Sequence, residues 1–319
     1  MNNNSRNLKK VKFLHLVDHN GTISGLVSRL SIFPEHCIIT SFPKTSKNKI
    51  KIIEELSKNK NIKCILHATG NKKYFYNLKD SLAKQFTHFY IFLHVSPKHF
   101  LIKNRLNELQ SIKALAKKSN TKILIPAKEL IKEYARYGLK AIPIQLGVNF
   151  DKKSSNSNKK YIISVCTAKE KIYHYIKGID RFSKLIHDLN LDKYAIILGN
   201  KNKSFEGIKT KKVSQNNFLK YLSQSKVYIQ LSRTESYNLS AVSAKRLKIP
   251  IIASNIEGHK DNIKYGFRIN TLDQAKKVLK YILSHPESPK LKTILEKNYN
   301  DSMKRETLNN FKNSFNKLN

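Results

Sequence analysis

The sequence lacks any apolar run long enough to cross a membrane. No window comes near the roughly 18 apolar residues of a spanning helix, although 40% of the 319 residues are hydrophobic. The basic N-terminal segment MNNNSRNLKKVKF has neither the apolar stretch nor the cleavage site of a signal peptide. Cysteine is also scarce: Cys37, Cys64 and Cys166 are far apart and lie in or beside apolar strands. We therefore expect buried, reduced thiols in a cytoplasmic protein.

Acidic residues are few compared with basic ones. The chain has 22 Asp and Glu against 61 Lys and Arg, a net charge of +39 that is spread over both halves. Codon bias in an AT-rich genome is one explanation, and an anionic membrane surface, an anionic acceptor polymer or nucleic acid are functional ones. The absence of zinc-finger, RNP and KH motifs, and of a stripe in which basic and aromatic residues alternate, argues against nucleic acid.

Short apolar strands alternate with helical stretches along the first half of the chain, which is typical of α/β proteins with mainly parallel sheets. The basic helical stretch 97–118 has one apolar face. That face could pack on the protein's own core or lie on anionic lipid. The predicted strands are 10–17, 37–40, 62–68, 89–95, 121–125 and 141–146, and the other predicted helices are 23–30, 50–56 and 128–137.

A second α/β domain follows a polar segment. Residues 151–160, DKKSSNSNKK, include no apolar residue and are predicted to be an exposed linker. We therefore predict a first domain over 1–150, a second over 161–289, and a terminal helix over 290–319. The second domain has predicted strands at 161–165, 194–198, 227–231 and 251–254, and predicted helices at 180–189, 216–223, 239–247 and 272–283.

The most informative stretch is 221–262, where two short apolar strands bracket a short helix. The polar loop after the first strand includes one carboxylate, Glu235. In parallel sheets ligands bind at the carboxyl ends of the strands, where helix N-termini offer free N–H groups to phosphates. Glu235 is therefore a candidate site residue, and a purely structural role as a helix cap is the alternative.

This stretch resembles the donor-site signature of retaining GT-B glycosyltransferases of the family-4 type, the glycosyl transferases group 1. This sequence departs from the family pattern at three positions. Ser243 stands where the family has a second Glu, and Asn238 and Lys248 stand where it has Gly. Weaker resemblances follow in family order at 20–22, 144–148 and 165–178, although Cys166 and Thr167 replace the family's Gly and Arg. The matching signature residues are Ser232, Glu235, Ser236, Tyr237, Leu239, Ser240, Ala244, Pro250, Ala253, Ser254 and Gly258.

The resemblance implies an α/β protein of GT-B fold, with two Rossmann-like domains facing each other across a cleft and a C-terminal helix that crosses back. By resemblance, Glu235 would accept hydrogen bonds from sugar hydroxyls, Lys177 would neutralise the leaving diphosphate, and His94 would lie near the donor sugar. A solvated Lys177 and a His94 fixed by backbone contacts are the structural alternatives. The implied donor-binding residues are Ser236, Tyr237, Asn238, Leu239, Ser243, Lys169, Lys171 and Gly199, and the implied acceptor loop is Asn20, Gly21 and Thr22.

The implied function is retaining transfer of a sugar from a nucleotide-sugar, UDP-linked by expectation, to a lipid-linked or anionic glycan acceptor of the cell envelope. Capsule, lipopolysaccharide and teichoic acid are examples of such glycans. No Asp-x-Asp motif occurs, so we expect no metal ion and no further cofactor. The expected location is the cytoplasm or the inner face of the membrane. Ser243 and Thr167 favour the alternative of a catalytically impaired subunit that binds or stabilises an active partner. A third hypothesis, a nucleic-acid-binding protein, rests on the net charge alone.

Overall fold

The computed structural model describes residues 8–17, 26–27, 29–40, 47–68, 72–148, 158–166, 171–199, 204–260 and 262–318. The chain forms two compact units. The first contains Met1–Gln145 and Phe311–Asn319, and the second contains Leu146–Asn310.

A parallel sheet forms the centre of the first unit, with strand order β2-β1-β3-β4-β5-β6. Its strands are largely apolar and are buried on both faces, as a parallel sheet covered by helices requires; all five residues of β1 are buried, His15 among them. Each strand predicted in this half of the sequence is present, which confirms those predictions. The strands are β1 Phe13–Val17, β2 His36–Thr40, β3 Lys63–Ala68, β4 His88–Leu93, β5 Lys122–Ile125 and β6 Ala141–Pro143, and the helices are α1 Lys47–Ser57, α2 Lys72–Gln85, α3 Pro97–Ile102, α4 Leu106–Lys118 and α5 Leu130–Ala135.

The helical stretch predicted over 97–118 is divided in the structure. Helix α3 ends at Ile102, and Asn104 has a φ of 52°, so the chain turns before α4 begins. The apolar residues Leu109, Ile112 and Leu115 of α4 are buried. Its apolar face therefore packs on the protein's own core. Half of the predicted helix 23–30 lies outside the described residues; residues 26 and 27 are helical, and Arg29–Ile32 is a 3-10 helix.

The second unit has a sheet of order β13-β12-β11-β7-β8-β10-β9, in which only β9 is antiparallel to its neighbour among the described pairs. Read from β10 to β13, this is the strand order of a Rossmann fold, with β7 as the first strand and β11 as the fourth. The strands are β7 Tyr161–Cys166, β8 Ala195–Gly199, β9 Ser204–Phe205, β10 Ile208–Lys212, β11 Ser225–Gln230, β12 Ile251–Ser254 and β13 Phe267–Ile269.

Helices cover both faces of this second sheet. One face packs against α7 and α11 through residues such as Phe182 and Leu279, and the other packs against α8 and α9 through Leu222 and Ala244. No helix in the described part of the chain combines the length and apolar character needed to span a bilayer. The helices of this unit and of the C-terminus are α6 Lys171–Lys177, α7 Ile179–His187, α8 Gln215–Ser223, α9 Leu239–Arg246, α10 Glu257–Lys260, α11 Leu272–Ser284, α12 Pro289–Arg305 and α13 Leu308–Asn316.

The C-terminal stretch, predicted as one helix over 290–319, forms two helices that are separated at Glu306 and Thr307. Helix α12 belongs to the second unit, whereas the chain from Phe311 onward belongs to the first. Phe311 and Phe315 of α13 are fully buried. The C-terminal helix therefore returns to the first unit, as the resemblance implied. Most of the predicted linker 151–160 lies outside the described residues, so its role stays a prediction.

Candidate functional site

The strand order of the second unit places a candidate site at the carboxyl ends of β7 and β11. These two strands are neighbours, yet the chain leaves them toward opposite edges of the sheet, and ligands bind at such switch points in open α/β sheets. The segment after β11, residues 231–238, includes Glu235. The segment after β7 holds Thr167 and Lys169, which lie outside the described residues.

Two of the predicted catalytic residues meet at this point. The Nζ atom of Lys177 lies 2.5 Å from Oε2 of Glu235, although 58 positions separate them in the sequence. The Glu235 side chain is 10% exposed and that of Lys177 is 32% exposed. The pair is thus largely shielded on the carboxylate side and accessible on the ammonium side.

The backbone around Lys177 is held tightly against the end of β11. The Nε2 amide of Gln230 donates to the carbonyl oxygen of Lys177 over 2.7 Å. Gly178 has a φ of +67°, and a Cβ atom there would come within 1.9 Å of the carbonyl oxygen of Leu231. Only glycine fits this turn without strain, so the packing requires Gly178 directly after Lys177.

Arg233 is a site residue that sequence reasoning missed. Its backbone N–H donates to the Ile176 carbonyl over 2.8 Å, and its guanidinium forms a bidentate ion pair with Asp180. The guanidinium also lies 3.7 Å from the ring centroid of Tyr175. Arg233 therefore fastens the loop after β11 to helices α6 and α7, on both sides of Lys177.

The electrostatics of the site favour an ionised Glu235. Burial raises the pKa of this carboxyl, but the charges of Lys177 and His259, the Lys177 hydrogen bond and the Ser236 backbone N–H outweigh it, and the net pKa is lowered. At neutral pH the site therefore presents a carboxylate, which acts as a hydrogen-bond acceptor.

His259 is a second residue that the sequence did not single out. It is fully buried, and its Nδ1 lies 2.9 Å from the carbonyl oxygen of Ser254, so Nδ1 must carry the proton. Burial lowers the pKa of His259, and the charge of Glu235 only partly offsets this. The preceding Gly258 allows the close packing, because a Cβ there would lie 1.9 Å from the Glu235 carbonyl oxygen.

Helix α9 begins directly after the Glu235 loop. The Asn238 side chain caps it by accepting a hydrogen bond from the Ala241 N–H over 3.0 Å, a common role for asparagine. The Asn262 amide in turn donates to the Asn238 carbonyl over 2.9 Å. Asn238, which stands where the resembled signature has Gly, thus fixes the start of the helix, and Leu239 is its first residue.

The remaining donor-binding candidates have diverse surroundings. The Ser236 N–H lies 3.3 Å from Oε1 of Glu235, whereas the Tyr237 hydroxyl donates to the buried Glu306 over 2.6 Å. The Ser243 hydroxyl donates to the Leu239 carbonyl of its own helix over 3.3 Å. The Tyr237 and Ser243 hydroxyls therefore have hydrogen-bond partners within the protein.

Other predicted site residues are not brought to the ion pair by a described contact. Lys171 is exposed at the start of α6, and Gly199 ends β8, where a Cβ would lie 2.6 Å from the Cys166 carbonyl oxygen. His94 belongs to the first unit, directly after β4. Lys169 and the loop Asn20, Gly21 and Thr22 lie outside the described residues. Among the described residues no group of three or more His, Cys, Asp or Glu could hold a metal ion.

Replacing Gly178 by alanine should lower the free energy of unfolding by about 3 kcal/mol, because a strained positive φ and a backbone clash add together. Urea unfolding followed by circular dichroism measures this. Gly207→Ala is the matched control: Gly207 also has a positive φ, +77°, but its Cβ would meet only the side chain of His187 at 3.2 Å. We expect the control to lose about 1 kcal/mol. Equal losses in the two variants would contradict the packing argument.

Comparison with known proteins identifies the fold of this chain. Neither a protein-family model nor a curated protein matches the sequence. A glycosyltransferase from Rickettsia africae has a similar structure, with a TM-score of 0.63 and 15% identity over 97% of this chain and 100% of that one. Sucrose-phosphate synthase from Thermosynechococcus elongatus aligns with a TM-score of 0.68 and 11% identity, over 96% and 98% of the two chains.

The S. aureus protein TarM is also similar, in a complex with UDP, with a TM-score of 0.56 and 16% identity. The alignment covers 79% of this chain but only 54% of TarM, so this chain spans about half of that protein. At such identities the likeness establishes the fold. The chain therefore has a GT-B fold like that of the group 1 glycosyltransferases.

Proposed function

We propose that this protein is a glycosyltransferase that takes its sugar from a nucleotide-sugar donor. The observation that carries the proposal is the Lys177–Glu235 ion pair at the switch point of the second sheet. The GT-B fold supports it, because the solved structures of similar fold include glycosyltransferases. The resemblance of the Glu235 segment to the donor-site signature supports it independently, since it rests on the sequence and not on the fold.

On this proposal the two charges act on different parts of the donor. The Glu235 carboxylate accepts hydrogen bonds from sugar hydroxyls, and the Lys177 ammonium stabilises the negative charge that grows on the diphosphate as the glycosidic bond breaks. The N–H groups at the start of α9 add a favourable partial positive charge. Retention without an enzymatic nucleophile requires the leaving phosphate to assist attack of the acceptor on the same face of the sugar.

We further propose an acceptor that is lipid-linked or an anionic glycan, as in the assembly of a cell-envelope polysaccharide. The net charge of +39 supports this class and also supports contact with an anionic membrane surface. TarM and a pneumococcal O-GlcNAc transferase both have structures with UDP, so a UDP-linked donor is the first to test.

A catalytically impaired glycosyltransferase-like subunit is the second candidate. The observation that favours it is Ser243, which stands where the family has a ribose-binding Glu. Its hydroxyl donates to the Leu239 carbonyl, and one hydroxyl cannot grip a ribose in the bidentate manner of a carboxylate.

A thermal-shift screen with UDP-, GDP-, CMP- and dTDP-sugars tests the proposal. We expect one nucleotide to stabilise the native chain. A donor at about 100 times its Kd adds about 2.7 kcal/mol, or about 5 °C in Tm. Release of nucleoside diphosphate then measures turnover, and NMR of the product reports the anomeric configuration.

Ser243→Glu separates the two candidates. The neighbouring cations are already engaged, since Lys245 binds Glu306 and Arg246 donates to the Glu306 carbonyl, so the new carboxylate should remain available to ribose. We expect Ser243→Glu to tighten nucleotide binding in calorimetry, and Ser243→Gln is the uncharged control. If no nucleotide binds the native chain at millimolar concentration and Ser243→Glu restores no binding, the catalytically impaired subunit becomes the better hypothesis.

A further inference from the structure

Four histidines of the first unit form a continuous hydrogen-bonded row across its sheet. His36 begins β2, His15 and His67 lie in β1 and β3, and His94 follows β4. The ring nitrogens are 3.0 Å apart between His36 and His15, 3.1 Å between His15 and His67, and 2.7 Å between His67 and His94. We call these four residues the histidine row.

The strand register places all four rings on one face of the sheet. His36 pairs with Phe13 in the parallel ladder, and His67 pairs with Val17 and with Phe92. Partners in a parallel ladder share a face, as do residues two positions apart on one strand. The histidine row therefore runs diagonally from the amino end of β2 to the carboxyl end of β4, where ligands bind in such sheets.

Aromatic rings pack against the histidine row, in which His15, His36 and His67 are buried and His94 is half-buried. Phe315 of α13 makes edge contacts with His15 and His36, at centroid distances of 5.1 and 5.8 Å. The charged groups beside it are Glu35 and Lys312, which pair at 2.6 Å near His36, and Lys63, which lies over Phe13.

Burial keeps these histidines neutral. It lowers the pKa of His36 to about 4 and that of His94 to about 3. Burial and neighbouring histidines also place the pKa values of His15 and His67 well below the ordinary range. At pH 7 each ring therefore has one N–H donor and one acceptor nitrogen.

Neutral rings in a row must all adopt the same tautomer. Each contact joins Nδ1 of one ring to Nε2 of the next, in the order His36, His15, His67, His94. Every contact needs one proton, so either all four rings carry it on Nδ1 or all four carry it on Nε2. A mixed arrangement would leave one contact with two protons or with none, which is costly in a buried site.

We propose that His36, His15 and His67 are positioning residues that set the tautomer of His94. The state of the histidine row then decides whether Nδ1 of His94 is a hydrogen-bond donor or an acceptor. Only the consequence of this inference rests on the proposed function: the tautomer would decide whether His94 donates a hydrogen bond to a donor sugar or accepts one from it. The coupling itself concerns the described residues alone.

Long-range proton–nitrogen NMR of protein labelled with nitrogen-15 histidine tests the coupling, because the two tautomers have distinct nitrogen shifts. Signals are assigned by their loss in single-histidine variants. In the native chain at pH 7 we expect all four rings to be neutral and of one tautomer. Two rings of opposite tautomer would overturn the proposal.

An isosteric pair of variants then sets the direction. His36→Asp places an acceptor-only group beside His15, so His15, His67 and His94 should all carry the proton on Nε2. His36→Asn, the control of equal size, can donate or accept and should impose neither state. A ring that carries its proton on Nδ1 in His36→Asp would contradict the coupling.

His15→Phe interrupts the histidine row while filling the space, so the native tautomer of His94 should give way to a mixture. An unchanged single tautomer at His94 would show that other contacts set it, and would overturn the proposal even if the His36 variants fail to fold.

Once a donor is known, His36→Asp and His36→Asn should differ in kcat more than in KM. Matched tautomers without any nucleotide binding would support the coupling and reject the proposed function, whereas unmatched tautomers in an active enzyme would reject the coupling alone.

Discussion

Replacing Lys245 by methionine is expected to lower the free energy of unfolding by about 3–5 kcal/mol, because it leaves a buried carboxylate without its cation. Lys245 and Glu306 are both fully buried, and Lys245 Nζ donates to Glu306 over 2.8 Å. Asp301 lies 3.5 Å from the same ammonium. In Lys245→Met the Glu306 carboxylate keeps the hydrogen bond from the neutral Tyr237 hydroxyl and the Coulomb attraction of Arg246, but it loses the ammonium that donates to it directly. Urea unfolding measures the loss.

Two further variants test this explanation. Lys245→Met combined with Glu306→Gln should recover most of the loss, since removing both charges of a buried pair is often neutral. Lys292→Met is the control, because Lys292 of α12 forms an exposed pair with Glu287, which precedes that helix, and such pairs contribute about 0–1 kcal/mol. A loss in Lys245→Met no larger than in the control would contradict the assignment of a buried charge pair.

The buried pair also bears on the candidate site, because Lys245 lies on α9, the helix that follows the Glu235 loop. The adjacent Arg246 donates to the carbonyl oxygens of Val148 and Glu306, over 3.2 and 2.7 Å. The Val148 N–H donates to the Glu306 carbonyl over 3.1 Å. Helix α9 is therefore tied to the end of α12 and to the segment near Val148, which fixes the loop that presents Glu235.

Replacing Glu235 by glutamine is expected to lower turnover at least about 100-fold, a loss of about 2.7 kcal/mol of transition-state stabilisation. Glutamine preserves the volume and one acceptor oxygen but removes the charge that pairs with Lys177. The melting temperature should change little, because the Lys177 side chain is 32% exposed and can be hydrated. Release of nucleoside diphosphate from the donor found in the thermal-shift screen measures turnover.

Glu257→Gln serves as the control for this experiment. Glu257 forms an exposed pair with Lys260 in α10, so its loss should leave turnover unchanged. If Glu235→Gln retains activity within about threefold of the native chain, Glu235 is not the donor-site carboxylate. A drop in melting temperature as large as that of Lys245→Met would instead indicate a structural role.

The βαβ unit around Glu235 was predictable because its signals are local. The apolar runs of β11 and β12 and the periodic apolar residues of α9 lie within about one βαβ length of each other. The structure confirms two parallel strands that pair directly, with Tyr228 opposite Ile251. The sequence missed β10, IKTKK, because one apolar residue among basic ones gives no strand pattern, and it missed β13 because three residues are too few.

The sequence by itself determined the fold class, the succession of strands and helices, and the position of Glu235 just after a buried strand. Only the tertiary structure decided which side chains meet: Lys177 with Glu235, Lys245 with Glu306, and the four rings of the histidine row. It also revealed the roles of Arg233 and His259. The physical reason is that the periodicity of hydrophobic residues and the preferences of turn residues are local signals, which extend over a few residues. These contacts depend instead on strand order and register, which are set by packing between segments far apart in the chain.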